Sequence, residues 1–130
     1  MPSFGKTSKE KLASCDPLLQ KVANRAILIM DFSVICGHRG KEEQDKAFAS
    51  GNSKLKWPDG KHNKMPSLAM DLLPYPIDWN DRDRFILLAG IIIGVAHELG
   101  VPIRWGGDWN SNYVIKDESF QDLGHFELIS

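Results

Sequence analysis

With 130 residues, of which 42% are hydrophobic and 25% charged, the chain has the composition of one globular domain with a single core, not of a disordered segment. Its formal net charge of -1 excludes the global positive field that draws a protein onto nucleic acid. Residues 1–6 lack the apolar core of a secretory signal. The longest apolar run, residues 85–96, is broken by Gly90 and Gly94 and falls well short of the roughly 20 residues of a membrane span, so no membrane insertion is expected. Cys15 and Cys36 have no Cys or His partner at finger spacing, which predicts free thiols and argues against a cysteine-based zinc site.

Taken in chain order, residues 8–13 predict a short opening helix. Asp16-Pro17 combines a capping side chain with a first-turn proline, and Leu18, Val22, Ala26 and Ile29 recur at helical spacing. One amphipathic helix is therefore expected over residues 16–30. Residues 32–36 read as a strand stopped by Gly37, and residues 41–49 as a helix closed by Gly51. The polar stretch 52–66, with Pro58, Gly60 and Pro66, has no periodicity and reads as a long loop of the kind that carries function. Residues 68–73 form a strand candidate ended by Pro74 and Pro76. The longest helix is expected over 81–99, with Gly100 as its left-handed cap. A strand over 101–105, a Gly/Asn/Asp-rich loop and a last strand over 126–129 complete an α+β fold, a small antiparallel sheet packed by helices on one side.

The chemistry gathers in two short segments. In a strand beginning near His125, that histidine and Glu127 share one face while Phe126 and Leu128 share the other. Asp122 lies three residues upstream, and Gly124 gives the backbone freedom to fold its carboxylate back towards the imidazole. Asp71 sits inside an apolar strand, a costly place for an acid unless it is paired or bound to a cation. With His62, these residues supply two imidazoles and one carboxylate, the ligand set of a catalytic zinc site with its fourth position left for water. Asp122 is then the candidate general base. Each of His62, Asp71 and His125 also has a plainer reading, as an isolated polar residue near the surface.

Other residues divide less sharply. His38 has no acid at matching spacing and reads as substrate-side or exposed. His97, in the last turn of a predicted helix, complements the helix dipole. Glu127 is open between orienting a metal ligand and forming a surface ion pair. Trp105 is expected in the core and Trp109 along the site.

In order and spacing the chain resembles the zinc peptidases that cut bacterial cell-wall peptides, and among them the phage L-alanyl-D-glutamate endopeptidases, or endolysins. The resemblance rests on Phe4-Gly5-Lys6 with Ser8, Gly37-x-Arg39 with Gln44, Ser67-x-Ala69-x-Asp71, Ile77-Asp78-Trp79, the run from Arg104-Trp105-Gly106-Gly107-Asp108 to Trp109-Asn110, and Asp122-x-x-His125-Phe126-Glu127. It implies a hedgehog/D-alanyl-D-alanine peptidase-like fold, zinc on His62, Asp71 and His125, and Asp122 as the base. It further implies that Arg39, whose guanidinium can hold a carboxylate by parallel hydrogen bonds or polarise a carbonyl, acts in catalysis, with Gln44 and Ser67 facing substrate.

The interval between His62 and Asp71 is longer than in many relatives, so Met65-Pro66 is expected to bulge outward. The implied protein is a monomeric single catalytic domain over residues 1–130 without a separate cell-wall-binding domain. Its substrate is the peptidoglycan stem peptide, and it waits in the host cytoplasm for a holin-type partner. The resemblance also covers D-alanyl-D-alanine carboxypeptidases and dipeptidases, and a non-catalytic zinc-containing binding module of the same fold. An acid at position 122 favours an enzyme, since a binding module needs no base.

Overall fold

The computed structural model describes residues 2–116, 118 and 120–129. In chain order the elements are α1 (Lys6–Ala13), α2 (Pro17–Ala26), β1 (Phe32–Cys36), α3 (Lys41–Ala49), a 3-10 turn at Lys61–Asn63, β2 (Ala69–Pro74), α4 (Arg82–Leu99), β3 (Ile103–Trp105) and β4 (His125–Leu128). The strands form one antiparallel sheet in the order β1-β2-β4-β3. This is the α+β arrangement the sequence predicts.

Local chemistry sets most boundaries. The Asp16 carboxylate accepts the Leu18 N–H at 2.9 Å, with Pro17 opening α2. Gly100, at φ 71°, closes α4 in the left-handed conformation. The helix expected over residues 16–30 is shorter than predicted. Beyond Ala26 the N–H groups of Leu28 and Ile29 bond three residues back, to Arg25 and Ala26, which tightens the last turn and lets the chain reverse into β1. Ile29, counted on the apolar face from its spacing, is consequently exposed.

Strand alternation divides the sheet into two faces. Met70 and Leu72 of β2 and Phe126 and Leu128 of β4 enter the core with Leu19 and Val22 of α2 and Leu88, Ile92 and Val95 of α4. Each such side chain, fully buried, stabilises the fold by about 1.5–3 kcal/mol. On the other face the alternate residues Asp71, His125 and Glu127 come together. Register does the rest: Asp71 is the cross-strand partner of both Cys36 and His125, and Glu127 of both Ala69 and Arg104. A row of metal-capable and charged groups thus crosses the sheet on the side turned from α2 and α4.

Candidate metal centre and active site

His62 reaches this row from the 3-10 turn. The turn is tied down by its neighbours: the Gly60 N–H donates to Asn63 Oδ1 at 2.9 Å, and Asn63 Nδ2 donates to the Arg39 carbonyl at 3.1 Å and to Gln44 Oε1 at 3.0 Å. The Arg39 N–H donates to the His62 carbonyl at 2.7 Å, and the Leu68 N–H to the Lys61 carbonyl at 3.0 Å. The longer interval between His62 and Asp71 is therefore taken up outside the site, where Met65 is exposed.

The imidazoles of His62 and His125 converge on one atom. His62 Nε2 and His125 Nδ1 each lie 3.2 Å from Asp71 Oδ1, with ring centroids 5.1 Å apart. The remaining ring nitrogens have their own acceptors, the Gly37 carbonyl at 2.7 Å for His62 Nδ1 and Glu127 Oε1 at 2.8 Å for His125 Nε2. Such outer acceptors fix ring orientation and direct the opposite nitrogen to the centre. Glu127 is buried, so its role as a mere surface pair does not hold. Its Oε2 accepts from Arg104 at 2.7 Å and lies 3.6 Å from Lys61 Nζ, while Lys61 Nζ also donates to the Leu128 carbonyl.

Two overlapping sets of groups have donor atoms within 4.8 Å of one another: Cys36, His62 and Asp71, and Asp71, Asp122 and His125. Cys36, set aside as a metal ligand on its sequence spacing, joins this group because the β1 register, irregular between Val34 and Cys36, brings it opposite Asp71. Its Sγ lies 3.7 Å from His62 Nδ1, the nitrogen already facing the Gly37 carbonyl, whereas Nε2 faces Asp71. Both cysteines are unpaired.

Charge is strongly coupled here. Burial opposes a charged His62, but the Asp71 carboxylate beside it prevails and pushes its pKa up to about 10. Asp71 is likewise held far below the usual carboxylate range: burial works against its charge and is outweighed by His62 and by hydrogen bonds from both histidines. His125 is raised, since bonds to Asp71 and Glu127 overcome its burial. Glu127 falls to about 2 against its burial, through bonds from His125 and Arg104. Asp122 moves the other way: burial, then the neighbouring Asp71 charge, raises it, while His125, His62 and Arg39 partly offset the rise. The carboxylates thus draw positive charge to this point, which protons on the two imidazoles supply and which a cation bound to the deprotonated imidazoles would supply in their place.

Asp122 is set by the backbone of the loop after β3. Its N–H donates to the Gly106 carbonyl at 2.8 Å and its carbonyl accepts the His125 N–H at 3.1 Å. A Cβ on Gly106 would lie 2.1 Å from the Asp122 carbonyl oxygen, so only glycine allows this approach. Arg39 Nη2 lies 3.5 Å from Asp71 Oδ2, and Arg39 Nη1 donates to Gln44 Oε1 at 3.1 Å. Trp109 leans over His125 at 5.4 Å and stacks on Phe120 at 6.2 Å.

Asp122, Arg39, Trp109, Phe120, His62, His125 and Glu127 border a cleft of about 350 Å³ that also takes in Lys54, Lys61 and Arg104. Gln44 closes its floor, yet that side chain is buried and spent on Arg39, Asn63, Ser53 and Leu55, so it braces Arg39 instead of meeting substrate directly. Ser67, expected to face substrate, does not reach the cleft. It is fully buried, its hydroxyl donating to the Ala69 carbonyl at 2.6 Å and the Gly37 carbonyl at 3.2 Å. His38 stands outside the cleft lining with its N–H on Ser14 Oγ, and His97 is exposed in the last turn of α4.

Fold and site together define a small α+β protein built around a His–Asp–His centre, with a neighbouring acid, in a cleft rich in cations. Residues 2–129 match the phage L-alanyl-D-glutamate peptidases, and the chain belongs to this family. It is 37% identical, over 97% of its own length and 97% of the relative's, to the L-alanyl-D-glutamate peptidase of Escherichia phage T5. In three dimensions it is similar to the L-Ala D-Glu endopeptidase ChiX of Serratia marcescens, with a TM-score of 0.77 and 25% identity, covering 98% of this chain and 91% of that one.

Proposed function

We propose that the protein is a zinc-dependent phage endolysin that hydrolyses the L-alanyl-D-glutamate bond of peptidoglycan stem peptides. The observation that carries the reading is the convergence of His62 Nε2 and His125 Nδ1 on Asp71 Oδ1, at 3.2 Å each, beside Asp122 in a chain of this family. Two imidazole nitrogens and a carboxylate are a donor set that suits zinc, and His62, Asp71 and His125 would hold it. When bound, zinc supplies Lewis acidity and eases the deprotonation of water near neutral pH.

The chain's own residues do the remainder. Asp122 takes a proton from the attacking water and returns it to the D-glutamate nitrogen as the bond to the alanyl carbonyl carbon breaks. Its raised pKa suits a group that both accepts and gives a proton. Arg39, braced by Gln44, is placed to steady the oxygen on which charge develops. Trp109 walls the site above His125, and Glu127 holds His125 in one tautomer.

No helix among the described residues is long and apolar enough to cross a membrane. In this reading the enzyme waits in the host cytoplasm and reaches the wall when a separate holin-type protein opens the membrane. Purified protein incubated with peptidoglycan, with and without a chelator, tests the activity by mass spectrometry of the released ends. New amino groups on D-glutamate are expected. Free D-alanine would favour the carboxypeptidase activity instead, and release unaffected by the chelator, or none, would refute the reading.

A further inference from the structure

The catalytic cluster lies where two cavities meet. The first, of about 350 Å³, is the cleft bordered by His62 and His125. The second, of about 410 Å³, borders Asp71 and shares Arg39, Asn52, Phe120 and Asp122 with the first. A peptide crossing the site therefore has one half in each.

The two halves differ in charge. The first cavity carries the acids Asp59, Asp122 and Glu127 and the cations Arg39, Lys54, Lys61 and Arg104; Arg104 and Lys61 are engaged by Glu127, and Arg39 by Asp71 and Gln44. Lys54 has no carboxylate partner among the described residues; its Nζ stands 4.5 Å over the Phe120 ring with its donors uncommitted. In the second cavity the charged groups are Arg39, Asp71 and Asp122, all part of the centre, and the wall includes Ile35, Leu73 and Trp79. Trp79 is 67% exposed, backed by Phe85 at 6.3 Å.

The two ends of the substrate differ in the same way. The D-glutamate of a stem peptide continues through its side-chain carboxyl, so its α-carboxylate is free. The alanine on the other side of the bond is joined to an uncharged lactyl ether and muramyl sugar, whose C–H faces pack on aromatic rings.

We propose that the stem peptide lies across the site in one direction, its D-glutamate α-carboxylate on Lys54 and its alanyl-muramyl end over Trp79. This rests on the peptidase reading above and adds a specificity residue to each side. The reverse direction would put a free carboxylate in the cavity beside Asp71 and Asp122 with no uncommitted cation to meet it, while leaving Lys54 without an anion. A charge-assisted hydrogen bond is roughly twice as strong as a neutral one, so the carboxylate end decides the direction.

Nature supplies the matching probe, since amidation of that carboxylate gives D-isoglutamine. Zinc-loaded wild type and variants are compared on muramoyl peptides carrying D-glutamate or D-isoglutamine, and on the sugar-free peptide. Wild type is expected to favour D-glutamate about tenfold in kcat/KM. Lys54→Gln should erase that preference and Lys54→Arg keep it, while Trp79→Ala should raise KM for the muramoyl peptide more than for the sugar-free one. A preference absent from wild type or surviving in Lys54→Gln overturns the proposal, as does an equal effect of Trp79→Ala on both peptides. If wild type cuts none of them, the peptidase reading itself falls and this inference with it.

Discussion

Gly106→Ala places a single methyl group between the loop after β3 and the acid at position 122. The added Cβ would lie 2.1 Å from the Asp122 carbonyl oxygen and 3.0 Å from its carbonyl carbon and its Cβ, where ordinary contact begins at 3.4 Å. Relief requires the Asp122 backbone to retreat by about 1.3 Å, the difference between the shorter distance and ordinary contact. That retreat strains two hydrogen bonds, from the Asp122 N–H to Gly106 and from the His125 N–H to Asp122. Overpacking of this kind lowers stability by about 1–3 kcal/mol. Misplacing a catalytic group by about 1 Å slows reaction about a hundredfold, equivalent to about 2.7 kcal/mol of barrier. The assay is release of glutamate-terminated ends, with zinc content and urea unfolding measured on the same preparation. Gly94→Ala, where a Cβ meets nothing within 4 Å, is the control. A folded Gly106→Ala protein with activity within threefold of wild type would refute the placement of Asp122 as the base.

Asp122→Asn should keep stoichiometric zinc and lose activity by about 10²–10⁴-fold, as expected for a general base; loss of zinc instead would make Asp122 a ligand. Glu127→Gln removes the carboxylate that holds His125 Nε2 at 2.8 Å and should weaken zinc binding about 10–100-fold in a competitive chelator titration; unchanged affinity would remove Glu127 from the centre. Cys15 gives a pH prediction. Burial, then the charges of Cys36 and Asp71, push its thiol from 9.0 to about 12. The unfolded chain therefore loses this proton first, and the contribution to stability, complete below pH 9, is lost as pH rises towards 12. Wild type should lose stability in urea above pH 9 more steeply than Cys15→Ala, by up to about 1.4 kcal/mol per pH unit; parallel curves would contradict it.

The chain yields its site unevenly because some of the geometry is local and some is not. His125 and Glu127 share a face by strand alternation alone, and Asp71 stands out as an acid in an apolar strand, so their importance was legible. What aligns Asp71 with His125 is strand register across 54 positions of chain, which no local pattern encodes. His62 depends on side-chain bonds from Asn63 that brace its 3-10 turn. Asn63 adjoins His62 in sequence and was a signal open to reading. Gln44 and Ser67 were placed by resemblance with the right neighbourhood and the wrong exposure: polar side chains that satisfy buried backbone and side-chain groups look, in sequence, like those that face a substrate. Lys54 and Phe120 went unread because they come from two separate loops that meet only at the cleft.

Zinc K-edge X-ray absorption on the loaded protein tests the ligand assignment most directly. The account predicts a shell of nitrogen and oxygen at about 2.0–2.1 Å, with multiple scattering from two imidazoles and no sulfur. A sulfur scatterer at about 2.3 Å that disappears in Cys36→Ser would instead put the ion on Cys36 and contradict a His62, Asp71 and His125 centre.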